Sequence, residues 1–263
     1  MSLSANHYAT GMLNKVPEVT LIFWIIKIMS TTVGETGADY LAVHVGFGTA
    51  VTAGLMLALL IAALVVQLQS RRYVPWIYWL TVVLVSVVGT QITDALTDGL
   101  GVSLYVSTAV FGIALLATFA MWYRSERTLS IHTIVTRRRE LFYWAAVLFT
   151  FALGTAAGDL ATEALGLGFT VGVVVFGALI AAVAIAWYLG ADAVLTFWLV
   201  YVLTRPLGAS LGDLLSQARA YGGLGLGSVN TSVVFLVVIS ALVIYVTTRE
   251  QRSTGTPQVG DKA

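Results

Sequence analysis

Long apolar runs separated by short clusters of charge or glycine dominate the chain. They predict helices over 18–40, 43–67, 74–98, 102–123, 140–164, 168–189, 193–217 and 229–248. About 20 residues of α-helix rise about 30 Å, the thickness of a bilayer's hydrocarbon core. The expected fold is therefore an all-α polytopic membrane protein: eight transmembrane helices in one domain over 1–263, with a polar tail at 250–263. Composition agrees, since 58% of the 263 residues are hydrophobic, 10% are charged and the mean hydropathy is +0.89. Short loops leave no room for a large soluble catalytic domain, and the lack of cysteine excludes disulfides, thiolate metal sites and cysteine nucleophiles. The polar stretch before Pro17 lacks a basic region leading into a short apolar core, so the first run is expected to be retained.

The net charge of +1 is uninformative, but the placement of charge is not. Arg71 and Arg72, then Arg124, Arg127, Arg137, Arg138 and Arg139, then Arg249, Arg252 and Lys262 fall in segments on one side of an eight-helix chain, as does Lys15. Only Arg219 lies opposite, with Lys27 and Arg205 inside spans. The bias of basic residues towards the cytoplasm places both termini there. All seven tryptophans fall towards that same side, as an interfacial aromatic belt would require.

A fourfold repeat underlies these runs. Trp is followed ten residues later by Gly and five after that by Asp, in the sets Trp24, Gly34, Asp39; Trp79, Gly89, Asp94; Trp144, Gly154, Asp159; and Trp198, Gly208, Asp213. The tryptophans are 55, 65 and 54 residues apart, so the unit is a two-helix hairpin, with copies over about 15–68, 72–123, 137–190 and 191–249. Glycine-bearing links follow each Asp and fit short turns. An even number of spans per copy gives all four the same topology, with any symmetry axis along the membrane normal. Four hairpins around one axis and two halves flanking a cleft both satisfy the pattern. The repeat Gly falls about 15 Å and the Asp about 22 Å along the helix from Trp. At mid-depth Gly permits close helix approach, or alternatively a hinge.

The repeat resembles a family of bacterial membrane proteins of unknown function, built from four tandem repeats that each carry two transmembrane regions and a characteristic tryptophan. The resemblance spans nearly the whole chain. It implies a multi-pass protein of the bacterial inner membrane and assigns the repeat tryptophan to Trp24, Trp79, Trp144 and Trp198. It implies no activity.

Candidate chemistry comes from the acids. Glu35, Asp39, Asp94, Asp98, Asp159, Glu163 and Asp213, seven of the thirteen, lie at the end of the odd helices away from Trp. Positions four apart share a helix face, so each copy carries a stripe: Glu35, Asp39, Val43; Thr90, Asp94, Asp98; Thr155, Asp159, Glu163; and Ala209, Asp213, Gln217. Ionised carboxylates are costly in a bilayer, and like charges on one face repel, so a cation between stripes relieves both penalties. Hard oxygen ligands suit Mn²⁺ or Mg²⁺, and His44 beside them favours Mn²⁺ over Ca²⁺. The alternatives are that each Asp caps the following helix, that His44 makes an interhelical hydrogen bond, and that Thr90 and Thr155 bond back to their own helices.

The expected function is a cation transporter or channel, with a divalent metal as cargo and Asp39, Asp94, Asp159, Asp213, Glu35, Asp98, Glu163 and His44 as its ligands. A proton-coupled organic-solute transporter and a non-transporting structural subunit are the competing readings. No P-loop or HExxH motif is present, and neither an enzyme nor a resident cofactor is expected. The expected partners are the lipid bilayer and an inorganic cation, with no nucleic acid; no protein partner is indicated.

Overall fold

A computed structural model describes residues 14–44 and 49–254. Within them lie eight long helices: α1 (Leu21–His44), α2 (Thr49–Gln69), α3 (Pro75–Asp94), α4 (Leu104–Glu126), α5 (Arg137–Asp159), α6 (Gly168–Tyr188), α7 (Ala193–Ser216) and α8 (Ser228–Thr254). Single π-helical turns, Ala95–Gly99 and Leu160–Ala164, extend α3 and α5. Local chemistry sets the boundaries. Pro75 opens α3, where its missing N–H costs nothing. The side chains of Ser103, Thr136 and Asp192 accept backbone N–H groups at the starts of α4, α5 and α7. Gly101 and Gly166, at equivalent positions of the second and third copies, both turn the chain at φ 69°.

Seven of these helices are long and apolar enough to cross a membrane. The exception is α1, which carries Lys27, Glu35, Asp39 and a run of small and hydroxyl residues from Ser30 to Gly37. It packs against α3, α7 and α8, and its Lys27, Ser30, Thr31, Thr32, Glu35 and Thr36 side chains are buried.

The odd helices form the inside of the molecule. α1 packs on α3, α3 on α5, α5 on α7 and α7 back on α1, which closes a ring. The even helices lie outside and expose large apolar side chains such as Leu57, Ile61, Ile113, Leu116, Val174 and Val237. Polar groups inside and apolar groups outside invert the pattern of a soluble protein and match a lipid solvent.

Two layers of contacts repeat around the ring. Each repeat Gly receives the residue that stands seven after Trp in the next copy: Ser86 lies over Gly34, Phe151 over Gly89, Arg205 over Gly154 and, closing the cycle, Thr31 over Gly208. A Cβ added at Gly89 would stand 2.7 Å from that of Phe151. Glycine is thus required by close helix approach, and α1, α3, α5 and α7 surround one axis rather than forming two halves with a cleft. Nearer the Trp end, the aromatic residue preceding each repeat Trp meets the Trp of the next copy: Phe23 with Trp79, Tyr78 with Trp144, Tyr143 with Trp198 and Phe197 with Trp24, at centroid separations of 5.5, 5.5, 6.2 and 5.6 Å.

Two features differ from the sequence-based expectation. Trp79, Trp144 and Trp198 are buried inside the bundle, whereas Trp76 and Trp187 are exposed as belt residues would be; the repeat Trp bridges adjacent copies, and cross-copy stacking outweighs a place at the interface. The two-helix sequence unit is also not the packing unit. Each even helix leans chiefly on the odd helix of the following copy, α2 on α3, α4 on α5, α6 on α7 and α8 on α1. The small-residue faces of the odd helices are used on one another, so each even helix settles in the outer groove beside its neighbour's odd helix. The four copies interlock.

Candidate functional site

The axis of the inner ring is filled with polar side chains in layers. One turn beyond the aromatic layer, Lys27 of α1 is fully buried, its Nζ 4.0 Å from the centroid of the Phe151 ring and 4.4 Å from that of Tyr201. Beside it the hydroxyls of Tyr78 and Tyr143 share a 2.5 Å hydrogen bond. Next comes Arg205 of α7, also fully buried, which reaches across the ring and joins all four odd helices. Its Nη2 donates to Glu35 Oε2 of α1 at 2.7 Å, to Thr155 Oγ1 of α5 at 2.6 Å and to Thr90 Oγ1 of α3. Its Nη1 donates to the Thr31 carbonyl at 3.2 Å.

The register of the repeat explains this convergence. Glu35, Thr90 and Thr155 each stand eleven residues after their Trp, so three copies offer an oxygen at one depth. The fourth copy has Ala209 there and instead sends in Arg205 from four residues earlier, a position occupied by Thr31, Ser86 and Phe151 in the other copies. Thr90 and Thr155 keep their own hydroxyl hydrogens on the carbonyls of Ser86 and Phe151 and turn lone pairs to the guanidinium. The expected bonds back to their own helices are therefore made, and the same oxygens also accept from Arg205.

Beyond this lock lies the acid layer. Asp94 and Asp159 are half-buried at the junctions where α3 and α5 widen into their π turns, and Asp98 and Glu163 are exposed within those turns. Asp213 is buried in α7. The Asp159 carboxyl lies within electrostatic reach of Glu35, Glu163, Asp213 and Asp94, and Glu163 within reach of Asp98 and Glu35, so acids of all four copies lie near one another at this end of the ring. Capping does not account for Asp94 and Asp159: neither side chain makes a cap bond at its junction, and Ser103 serves α4. Asp39 and His44 belong to α1, and their side chains fall outside the described residues. Among the described residues no three carboxylate or imidazole groups converge closely enough to hold a metal ion. The acids lie at the end of the ring away from Trp, and Glu35, expected as a ligand, is held by Arg205.

Two grooves open towards the Trp end. One, of about 650 Å³, lies between α1, α6 and α7 and includes Trp24, Ile28, Ile180, Trp187, Phe197 and Val200. The other, of about 440 Å³, lies between α1, α3 and α8 and includes Pro17, Phe23, Trp79, Arg249 and Glu250. In the equivalent space between α2 and α5, Lys15 donates to Glu140 at 2.7 Å and Gln67 donates to Glu140 at 3.1 Å.

Residues 22–73, 77–128, 142–191 and 196–252 each match a family described as "Repeat of Unknown Function (DUF347)". The chain belongs to that family. No curated protein and no solved structure matches it. The four matched stretches begin within three residues of the repeat tryptophans, so the family repeat is the unit whose copies interlock around the axis.

Proposed function

We propose that this repeat-family chain is a cation transporter of the bacterial inner membrane, with all eight helices crossing the bilayer, both termini in the cytoplasm and the acid mouth facing outward. The observation that carries the reading is the gathering of Asp94, Asp159, Asp213 and Glu163, from three copies, at one end of a closed helical ring whose axis is polar. Carboxylates crowded at the edge of a low-dielectric region repel one another, and a cation entering among them relieves that repulsion. Hard oxygen donors without cysteine favour Mn²⁺ or Mg²⁺. The spread of the acids favours attraction of a hydrated ion over a rigid coordination shell.

Arg205 then acts as the closure of the path. While its guanidinium holds Glu35, Thr90 and Thr155, a fixed positive charge blocks the axis below the mouth. A cation arriving at Glu35 competes with Arg205 for the same carboxylate, and displacement of the arginine opens three oxygens of the copies to the ion. The test is whole-cell metal content by elemental mass spectrometry for cells expressing the wild type or a variant with Asp39, Asp94, Asp159 and Asp213 changed to Asn, at equal membrane levels. A selective rise or fall in one divalent metal that vanishes in the variant is expected. No change in any metal with the wild type would refute the proposal and favour an organic solute, for which the apolar groove of about 650 Å³ offers space.

A further inference from the structure

The groove between α1, α3 and α8 and the space between α2 and α5 are related by one step around the ring, yet they are filled differently. Between α2 and α5 the chain supplies a primary ammonium of its own: Lys15 Nζ donates to Glu140 Oε2 at 2.7 Å and to the Leu68 carbonyl at 3.3 Å. The groove, of about 440 Å³, has no lysine among its lining residues. Its charged walls are Glu18, Glu250 and Arg249, and Glu18 lies within electrostatic reach of Glu250. Neither Glu18 nor Arg249 forms an ion pair among the described residues. Lys15 is held by Glu140, and the neighbouring Arg71 and Arg72 are exposed and do not line the groove. Asn14 lines it and is only 8% exposed, and its Oδ1 is a buried acceptor with no hydrogen-bond partner. A buried acceptor left without a donor is costly. Phe23, Tyr73 and Trp79 are further walls, and aromatic rings attract an ammonium and cover a short alkyl chain.

We propose that this groove binds a small primary organic amine in its ammonium form, which donates an N–H to Asn14 Oδ1 and sets its charge against Glu18 and Glu250. The charge follows from the walls: two carboxylates and one guanidinium leave a place for one cation. The primary amine follows from Asn14, because a quaternary ammonium carries charge but no N–H. A strongly hydrated metal ion would have to shed its water against aromatic walls. Lys15 shows the same chemistry made within the chain, an ammonium between a carboxylate and an amide oxygen. The groove lies at the end of the ring opposite the acids and is independent of the transport reading.

The test uses the full-length chain purified in detergent micelles at neutral pH, with binding of ¹⁴C-labelled n-butylamine measured by scintillation proximity. Saturable binding of one amine per chain is expected, displaced by unlabelled n-butylamine and not by equal concentrations of tetramethylammonium or n-butanol. Glu18→Lys replaces an exposed carboxylate with an ammonium like that of the ligand and should weaken binding by about tenfold or more. Val246→Trp fills the groove, leaves every charge in place and should abolish binding. The melting temperature of the wild type should rise saturably with n-butylamine, and that of Val246→Trp should not. Absence of saturable binding to the wild type overturns the proposal, as does unchanged affinity in Glu18→Lys or Val246→Trp. Equal displacement by tetramethylammonium refutes donation to Asn14 and with it the primary amine. If Val246→Trp does not fold, Ile22→Trp on the facing helix takes its place and is read in the same way. A chain that binds the amine and moves no metal keeps this site and loses the transport reading; a chain that moves metal and binds no amine loses this site alone.

Discussion

Replacing Arg205 with Met should be among the most damaging single changes in the protein, and its damage should be repairable at a position 170 residues away. Arg205 Nη2 makes the 2.7 Å ion pair with Glu35, and both side chains are buried. Arg205→Met leaves the Glu35 carboxylate without its counter-charge. Thr90 and Thr155 lose little, because their hydroxyls still donate to Ser86 and Phe151. Removing one partner of a buried pair typically costs about 3–5 kcal/mol. At roughly 2–4 °C per kcal/mol for a chain of this size, the melting temperature should fall by on the order of 10 °C. Replacing both partners, in Glu35→Met with Arg205→Met, removes the stranded charge, and similar-sized apolar pairs are commonly near neutral. The double variant should therefore recover most of the loss, with a coupling of about 2–3 kcal/mol. Unfolding followed by tryptophan emission in detergent micelles, on wild type, both single variants and the double variant, closes the cycle. Additivity within about 0.5 kcal/mol would show that the two residues do not act as a pair and would refute the lock.

Two further outcomes follow from the ring contacts. Gly154→Ala would place a methyl group inside the Arg205 side chain, whereas Gly177→Ala meets nothing within 4 Å; the first should cost about 1–3 kcal/mol and the second should be neutral or mildly stabilising, as read from melting temperatures. Trp79 is 2% exposed and Trp76 is 55% exposed, so Trp79→Ala should cost about 3–5 kcal/mol while Trp76→Ala changes stability little and removes part of the emission quenched by a lipid-phase quencher, the remainder coming chiefly from exposed Trp187.

Much of the fold is legible in the chain itself. The expected helix over 168–189 is found as Gly168–Tyr188 and that over 193–217 as Ala193–Ser216, because apolar runs and their caps are local features. The largest boundary shifts are at the start of α2, expected at 43 and found at Thr49, and at the end of α8, expected at 248 and found at Thr254. The spacing of Trp, Gly and Asp correctly marked four equivalent helices, and Gly at mid-depth pointed to close approach. The proximity of Asp94, Asp159 and Asp213 follows for the same reason: one residue at one position of a repeat lands at one depth in these copies. Arg205 was visible only as a cation inside a span, since nothing in its neighbourhood names Glu35, Thr90 or Thr155.

The division between the two levels has a physical basis. Sequence dictates the face of each helix: which residues are small enough for contact, which are polar, and at what depth each sits, because the α-helix converts spacing into angle and rise. It dictates neither the neighbour that face will meet nor the stagger between them. That stagger sets the residue seven after Trp of each copy over the Gly of the copy before it, brings Phe197 to Trp24 across the chain's ends, and moves each even helix onto the following copy. These arrangements arise when all four odd helices pack at once, since each interface is shared by two copies and none can be optimised alone. In the closed ring the one copy that departs from the pattern, with Ala209 where others carry oxygen, leaves room for its own Arg205 to reach the oxygens of the other three.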